Sequence, residues 1–271
     1  MKKLDHIPTA KDIEETHKAI AGMIHRTPVL TCESINKITG ADLYFKCENF
    51  QKIGAFKMRG GASAALRLNP EEKAKGLTTH SSGNHAQAVA RSALLLGIPA
   101  YIVMPENSPI IKQNATRGYG AEIIFCESTI EARETKLQEV LEKTNATFIH
   151  PYNYYNVIAG HATADKELIE DAVPFDIIMA PVGGGGLMSG TALSVKYFSP
   201  KTIALGSEPK EVDDAYRSLQ SGKIEKNATI NTISDGLRTN LGPKTVDIIK
   251  NNVEEILTVS EAAIVEAMRL T

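Results

Sequence analysis

The chain is 271 residues long, 42% hydrophobic and 23% charged, which excludes a largely unfolded protein and suits about two domains, or one large domain with an inserted part. Its 30 basic and 32 acidic residues leave a net charge of -2, too weak a field to attract nucleic acid or an anionic membrane, so a small molecule is the expected partner. The N-terminal MKKLDHIPTAKDIEE lacks the apolar run of a secretory signal, and no stretch is long and apolar enough to span a bilayer. Cys32, Cys47 and Cys126 are odd in number and have no histidine at zinc-ligand spacing, which predicts buried reduced thiols in a cytoplasmic protein.

Thr9 and Asp12 predict a capped start for an amphipathic helix carrying Ile13, Ile20, Met23 and Ile24, ending near His25-Arg26-Thr27-Pro28. After Gly76 the pattern alternates: a strand over Leu77-Thr78-Thr79-His80, a helix from Ala86 to Leu96 closed by Gly97, and a strand from Ala100 to Met104. Ser128 with Glu131 predicts a capping box for a helix reaching about Lys143, followed by a strand over Ala146-Thr147-Phe148-Ile149. A second strand, glycine turn, helix and strand runs through Ile177 to Ala180, Gly183 to Gly186, Leu187 to Phe198 and Thr202 to Gly206. A last helix starts at Ser260 and runs to Thr271. Apolar strands alternating with helices predict an α/β fold with parallel sheets covered on both faces. The expected division is a small domain over residues 53–150, inserted into a large domain made of 1–52 and 151–271.

Pro181-Val182-Gly183-Gly184-Gly185-Gly186-Leu187 lies between a buried strand and a helix. Four glycines let backbone N–H groups converge on an anion at a helix N-terminus; a ligand-free tight turn would need only one or two. The loop lacks the Lys-Ser/Thr of a nucleotide-binding P-loop and the spacing of a dinucleotide fingerprint. Gly54-Ala55-Phe56-Lys57-Met58-Arg59-Gly60-Gly61 offers a lysine that burial would turn into a nucleophile toward a carbonyl; a solvated Lys beside an Arg is the alternative. Ser81-Ser82-Gly83-Asn84-His85 sits at the carboxyl end of a predicted parallel strand, where it reads either as a carboxylate cradle or as a plain helix cap.

Together, QKIGAFKMRGG, THSSGNHAQAVA, PVGGGGLMSG and SDGLRTNLG resemble, in sequence, spacing and order, the fold type II pyridoxal-phosphate enzymes related to the tryptophan synthase β subunit. Within that group they look most like serine racemase and the serine, threonine and 3-hydroxyaspartate dehydratases. The resemblance covers nearly the whole chain. It implies that Lys57 carries pyridoxal 5'-phosphate as a Schiff base, that Phe56 flanks it, and that Asn84 bonds the ring's phenolic oxygen. Gly183, Gly184, Gly185, Gly186 and Leu187 would hold the phosphate, and Gly236 of SDGLRTNLG would line the cofactor. Ser82 would face Lys57 across the cofactor, so that the two form the acid/base pair a racemase needs. Ser81, Ser82, Asn84, His85 and Arg133 match positions around the substrate carboxylate.

Carboxylates with a backbone carbonyl suit a hard cation, and Glu208, the Val212 carbonyl and Asp214 resemble the Mg²⁺ or Ca²⁺ site of the racemase and hydroxyaspartate dehydratase branch; an acidic helix start is the alternative. Relatives continue beyond the helix at Ser260 into a segment that meets the pyridine nitrogen. Its absence is expected to leave part of the large sheet exposed and activity in doubt. Ala55 stands where many relatives have serine. The leading expectation is a dehydratase of serine, threonine or 3-hydroxyaspartate, with serine racemisation next to it and homodimers as the assembly. A catalytically silent cofactor- or metabolite-binding protein and a nucleotide-binding module are the readings from other classes.

Overall fold

The structure, a computed structural model, describes every residue except Ser82 and the side chain of Ile130. Its helices and strands are, in chain order, α1 (Ala10–Ile20), β1 (Val29–Thr31), α2 (Glu33–Thr39), β2 (Tyr44–Lys46), α3 (Lys57–Leu66), α4 (Pro70–Lys75), β3 (Leu77–His80), α5 (Asn84–Leu96), β4 (Ala100–Pro105), α6 (Ile110–Gly118), β5 (Glu122–Cys126), α7 (Ile130–Thr144), β6 (Thr147–Phe148), α8 (Tyr155–Asp171), β7 (Ile177–Pro181), α9 (Gly186–Phe198), β8 (Ile203–Pro209), α10 (Asp214–Ser221), α11 (Pro243–Asn252), β9 (Glu255–Val259) and α12 (Glu261–Leu270).

Two parallel sheets organise the chain. The first has the order β5-β4-β3-β6 and the second β7-β8-β9, while β1 and β2 pair as an antiparallel ribbon. Leu77, Ile102, Met104 and Ile149 of the first sheet pack with Ala86, Val89 and Ala90 of α5 in one core. Ile178, Ala180 and Ile256 of the second pack with Met188, Ala192 and Val195 of α9 in another. The long helix α8 is buried along most of its length and packs against α3 on one side and α9 on the other, tying the two cores together.

Several expectations need correction. The first helix stops at Ile20, and Met23 and Ile24 pack as a buried loop beyond it. Thr129, not Ser128, caps α7, its hydroxyl accepting from the Ala132 N–H at 3.1 Å. Only Cys126 is a buried thiol; Cys32 and Cys47 are half-buried, and all three are free. Coverage of both faces holds only in part for the second sheet, in line with the exposure expected for the large one: Ile177, Met179, Ile203 and Leu257 share one face by register and are exposed.

Candidate active site

Both glycine-bearing motifs lie at carboxyl ends of parallel strands, where aligned strands and the following helix N-termini leave polar backbone groups free to meet a ligand. The Gly183 to Gly186 turn follows β7 and opens α9; Ser81 to Asn84 follows β3 and opens α5. Lys57 is the first residue of α3, and its amine reaches Pro151, the residue before the Tyr152 that packs on the glycine turn.

The glycine turn is buried, and the N–H groups from Gly183 through Met188 donate to no acceptor among the described residues. Buried N–H groups without partners are costly, so a run of them at a helix start is an anion cradle. The structure also changes the reason for four glycines. A Cβ at Gly183 would press on the Leu237 backbone, at Gly184 on the Tyr152 ring, and at Gly186 on Tyr152 and His161. Gly185 has φ +80°, and a Cβ there would meet the Leu241 side chain at 2.6 Å. Neighbouring protein, as well as a ligand, forbids side chains here. Below the turn, the buried Thr245 hydroxyl donates to the Gly184 carbonyl at 2.9 Å, a support no sequence motif signals.

Lys57 Nζ donates to the Pro151 carbonyl at 3.0 Å and lies 5.0 Å from the centre of the Phe56 ring. Desolvation pulls its ammonium down to about 8, because burial penalises the charged form. An amine so tuned is a usable nucleophile and base near neutral pH. The histidines around it are neutral. Burial pushes His85 down to about 3 and His150 to about 4, and His161 well below its ordinary range. His161 stands edge-on to Phe56 with ring centres 4.9 Å apart, between α3 and the glycine turn. His150 Nδ1 accepts from the Asn153 and Tyr152 N–H groups at 3.0 and 3.3 Å, which places the ring proton on Nε2.

Around the second turn, the half-buried Ser81 hydroxyl accepts from the Gly83 N–H at 3.2 Å, and Asn84 is exposed at the start of α5. Ser82 lies outside the described residues. The His85 ring is turned inward rather than toward a ligand: it is 3% exposed, and its Nε2 bonds the Ile149 carbonyl at 3.0 Å. What remains of His85 for a substrate carboxylate is its place in the first turn of α5. Arg133 is half-buried, and its Nε has no partner among the described residues; burial, and after it the Arg133 charge, holds His80 at the end of β3 below the ordinary histidine range. A half-buried guanidinium with an unpartnered Nε among the described residues suits a carboxylate. Gly236 lies in a 3-10 turn over Asp235–Leu237, with its carbonyl 3.1 Å from where a Gly183 Cβ would stand. Leu187 is half-buried in the first turn of α9.

Glu208 and Asp214 are both buried, at the end of β8 and the start of α10, and Val212 lies buried between them. The Glu208 carboxylate accepts from the Tyr216 and Ala215 N–H groups at 2.6 and 3.3 Å. Asp214 accepts from Asn227 Nδ2 at 2.7 Å and from the Leu241 N–H at 2.9 Å. Burial, with Asp214 as the nearest like charge, pushes Glu208 up to about 8, and burial pushes Asp214 to about 6. Among the described residues no group of three or more His, Cys, Asp or Glu side chains gathers as a metal cluster, so this carboxylate pair stands without a third side chain of those types.

Comparison with known proteins gives a consistent picture. The family model described as pyridoxal-phosphate dependent enzyme matches residues 20–271. The chain is 47% identical over 264 residues to the serine racemase of Dictyostelium discoideum, covering 97% of this chain and 82% of that protein. It is 44% identical to the beta-hydroxyaspartate dehydratase of Paracoccus denitrificans, covering 98% of this chain and 84% of the relative. The solved structure of maize serine racemase superposes with a TM-score of 0.96 at 43% identity, over 98% of this chain and 80% of that one.

Proposed function

Because this chain belongs to the pyridoxal-phosphate dependent enzymes of fold type II, we propose that it is a dehydratase converting serine, threonine or 3-hydroxyaspartate to a 2-oxo acid and ammonia. The observation that carries this reading is the largely buried run of N–H groups from Gly183 to Met188, unpartnered among the described residues, joined through Pro151 and Tyr152 to a lysine whose amine burial holds at about 8. That donor set fits a phosphate monoester, and that amine fits an aldehyde. Pyridoxal phosphate, when bound, supplies a conjugated ring that accepts the electrons left at the substrate's α carbon.

The residues divide the remaining work. Gly183, Gly184, Gly185, Gly186 and Leu187 hold the phosphate through their N–H groups, Gly236 and Phe56 wall the ring, and Asn84 meets its phenolic oxygen. Lys57 Nζ anchors the cofactor and takes the α proton. Ser81, the first turn of α5 at His85, and Arg133 orient the substrate carboxylate. Ser82 works from the opposite side of the ring as an acid. Glu208, the Val212 carbonyl and Asp214 hold Mg²⁺ or Ca²⁺, whose charge would offset the two carboxylates that burial pushes toward protonation. The protein acts as a homodimer in the cytoplasm, a setting in keeping with three free cysteines.

Serine racemisation is the second reading, supported by the name of the 47% identical relative. It needs only that Ser82 return a proton to the α carbon from the face opposite Lys57. Purified protein is incubated with L-serine, D-serine, L-threonine and threo-3-hydroxyaspartate, assaying 2-oxo acid, ammonia and the opposite enantiomer. Oxo acid with ammonia supports the dehydratase, enantiomer alone the racemase, and no product from any substrate sinks both. Borohydride reduction of loaded protein should fix pyridoxal phosphate, a form of vitamin B6, on Lys57, and Lys57→Ala should show neither the visible absorption of the lysine-bound cofactor nor turnover.

A further inference from the structure

The α3 helix begins at Lys57, and no side chain among the described residues caps it; Phe56, at the N-cap position, is itself helical with φ -54° and ψ -22°. An uncapped start does not by itself settle where the first turn lies. Two residues on, Arg59 supplies what the cap does not. Its guanidinium is fully buried and gripped from two sides. Nε and Nη2 each donate to a Glu48 oxygen at 2.8 Å, Nη1 and Nη2 donate to the Glu167 oxygens at 2.9 and 2.7 Å, and Nη1 also donates to the Thr163 hydroxyl at 3.1 Å. Two bidentate carboxylates exploit the planar fork of arginine, which lysine cannot reproduce. Lys46 Nζ, 2.8 Å from Glu167, leaves the set Arg59, Lys46, Glu48 and Glu167 neutral, and His17 bonds its edge at 3.1 Å.

The approach to Lys57 is held just as closely. The buried Gln51 side chain accepts from the His25 N–H at 2.7 Å and donates to the His25 carbonyl at 2.8 Å. Between Gln51 and Lys57, Ile53 sits at φ 65°. A β-branched residue there is strained and persists only where its surroundings over-determine it. Beyond Arg59, a Cβ on Gly60 would stand 2.5 Å from His161 Nε2, and one on Gly160 would collide with the Arg59 carbonyl, so α3 and α8 meet backbone to backbone.

We propose that Arg59, clamped between Glu48 and Glu167, is a positioning residue that fixes where α3 begins and so holds the Lys57 amine against the Pro151 carbonyl beside the Phe56 ring. The functional meaning of the clamp rests on Lys57 bearing the cofactor; its geometric effect does not. The titratable groups facing Lys57 are His85 of α5, His150 after β6 and His161 of α8, all neutral, so release of the amine would be felt chiefly as rehydration. Rehydration moves a lysine back toward its ordinary pKa.

The test is amine labelling of the full chain, with and without pyridoxal phosphate, across pH, read at Lys57 by peptide mass spectrometry. Wild type, Glu48→Gln, Arg59→Lys and the remote surface control Glu71→Gln are compared, each with its melting temperature. In the cofactor-free wild type and control, labelling has its midpoint near pH 8. In Glu48→Gln and Arg59→Lys the midpoint rises by about one pH unit or more, and cofactor affinity falls about tenfold. Folded variants with an unmoved Lys57 midpoint overturn the proposal, and so does a lowered melting temperature alone. If Arg59→Lys does not fold, Glu48→Gln, which keeps the Glu167 arm, decides by the same criteria. A moved midpoint with the reduced vitamin found on another residue supports the clamp and sinks the role assigned to Lys57.

Discussion

Gly184 packs against the Tyr152 ring so closely that an added Cβ would fall inside contact with three ring atoms. Tyr152 follows Pro151, whose carbonyl takes the Lys57 amine, so one short segment after β6 touches both the lysine and the glycine turn. Gly184→Ala should therefore displace Tyr152, destabilise the protein by about 1–3 kcal/mol as overpacking does, and weaken pyridoxal phosphate binding about tenfold. Urea melts and absorbance titrations of Gly184→Ala, Tyr152→Ala and the double variant form a cycle in which the two changes together do less harm than their sum. Strict additivity would mean the turn is not shaped by the ring.

The punctuated elements were legible in the sequence. Leu77–His80 lies where the alternation after Gly76 predicts it, and Gly97 at φ 64° ends α5 as a glycine C-cap should. The misses have physical causes. Helix α8 is buried on nearly every side, so it lacks the polar face that gives a helix its period. Gly60 and Gly61 disguise α3 as a turn, although they permit its approach to α8 and α5. Adjacent hydroxyls at Ser128 and Thr129 offered two caps one residue apart, and Thr129 took the place.

At the candidate site, the motifs stood out in the sequence and the residues that support them did not. Arg59 entered the sequence reading only as the neighbour of Lys57, because its partners Glu48 and Glu167 are 11 and 108 residues away in sequence. Thr245 reaches Gly184 across 61 residues with no local signal. The inward turn of the His85 ring comes with a bond to the Ile149 carbonyl, 64 residues on, again without a local signal.

Arg133 is expected to act on binding more than on turnover. Its unpaired Nε and half-buried head offer a charge-assisted bond to a substrate carboxylate. Arg133→Gln should raise KM about tenfold or more, roughly 1.4 kcal/mol, with a smaller change in kcat. Steady-state kinetics on whichever substrate the panel identifies decide it, and an unchanged KM would remove Arg133 from the site.

Two buried histidines and a half-buried one contribute to the acid limb of stability. His85 at about 3, His150 at about 4 and His161, well below its ordinary value, are neutral in the folded chain and would protonate near 6.5 when unfolded. The unfolded chain thus binds more protons, and stability falls as pH drops below 6.5, by at most about 1.4 kcal/mol per pH unit for each group. His85→Gln should flatten that slope in urea melts between pH 6.5 and 4.5; an unchanged slope would mean that the ring titrates freely in the folded state.

Glu208 works in the opposite sense. Its folded pKa is raised to about 8 from 4.5, so without a cation the folded chain holds a proton that the unfolded one releases, and stability declines as pH rises from about 4.5 to 8. Asp214, raised to about 6 from 3.8, adds to the decline over the lower part of that range. A divalent cation between the two carboxylates would remove the reason for either to stay protonated, and would stabilise the fold by mass action besides. Asp214 also holds the Leu241 N–H, while the Leu241 side chain packs under Gly185, so the benefit should reach the phosphate cradle. Melting curves of chelator-treated protein should show the decline between pH 6 and 8. Added Mg²⁺ should raise the melting temperature by several degrees at pH 8 and by less at pH 6, and should tighten pyridoxal phosphate binding. Glu208→Gln should be stable at pH 8 without Mg²⁺ and indifferent to its addition. An equal response to Mg²⁺ in wild type and Glu208→Gln would place the cation elsewhere and leave the two carboxylates as caps for α10 and the loop at Leu241 alone.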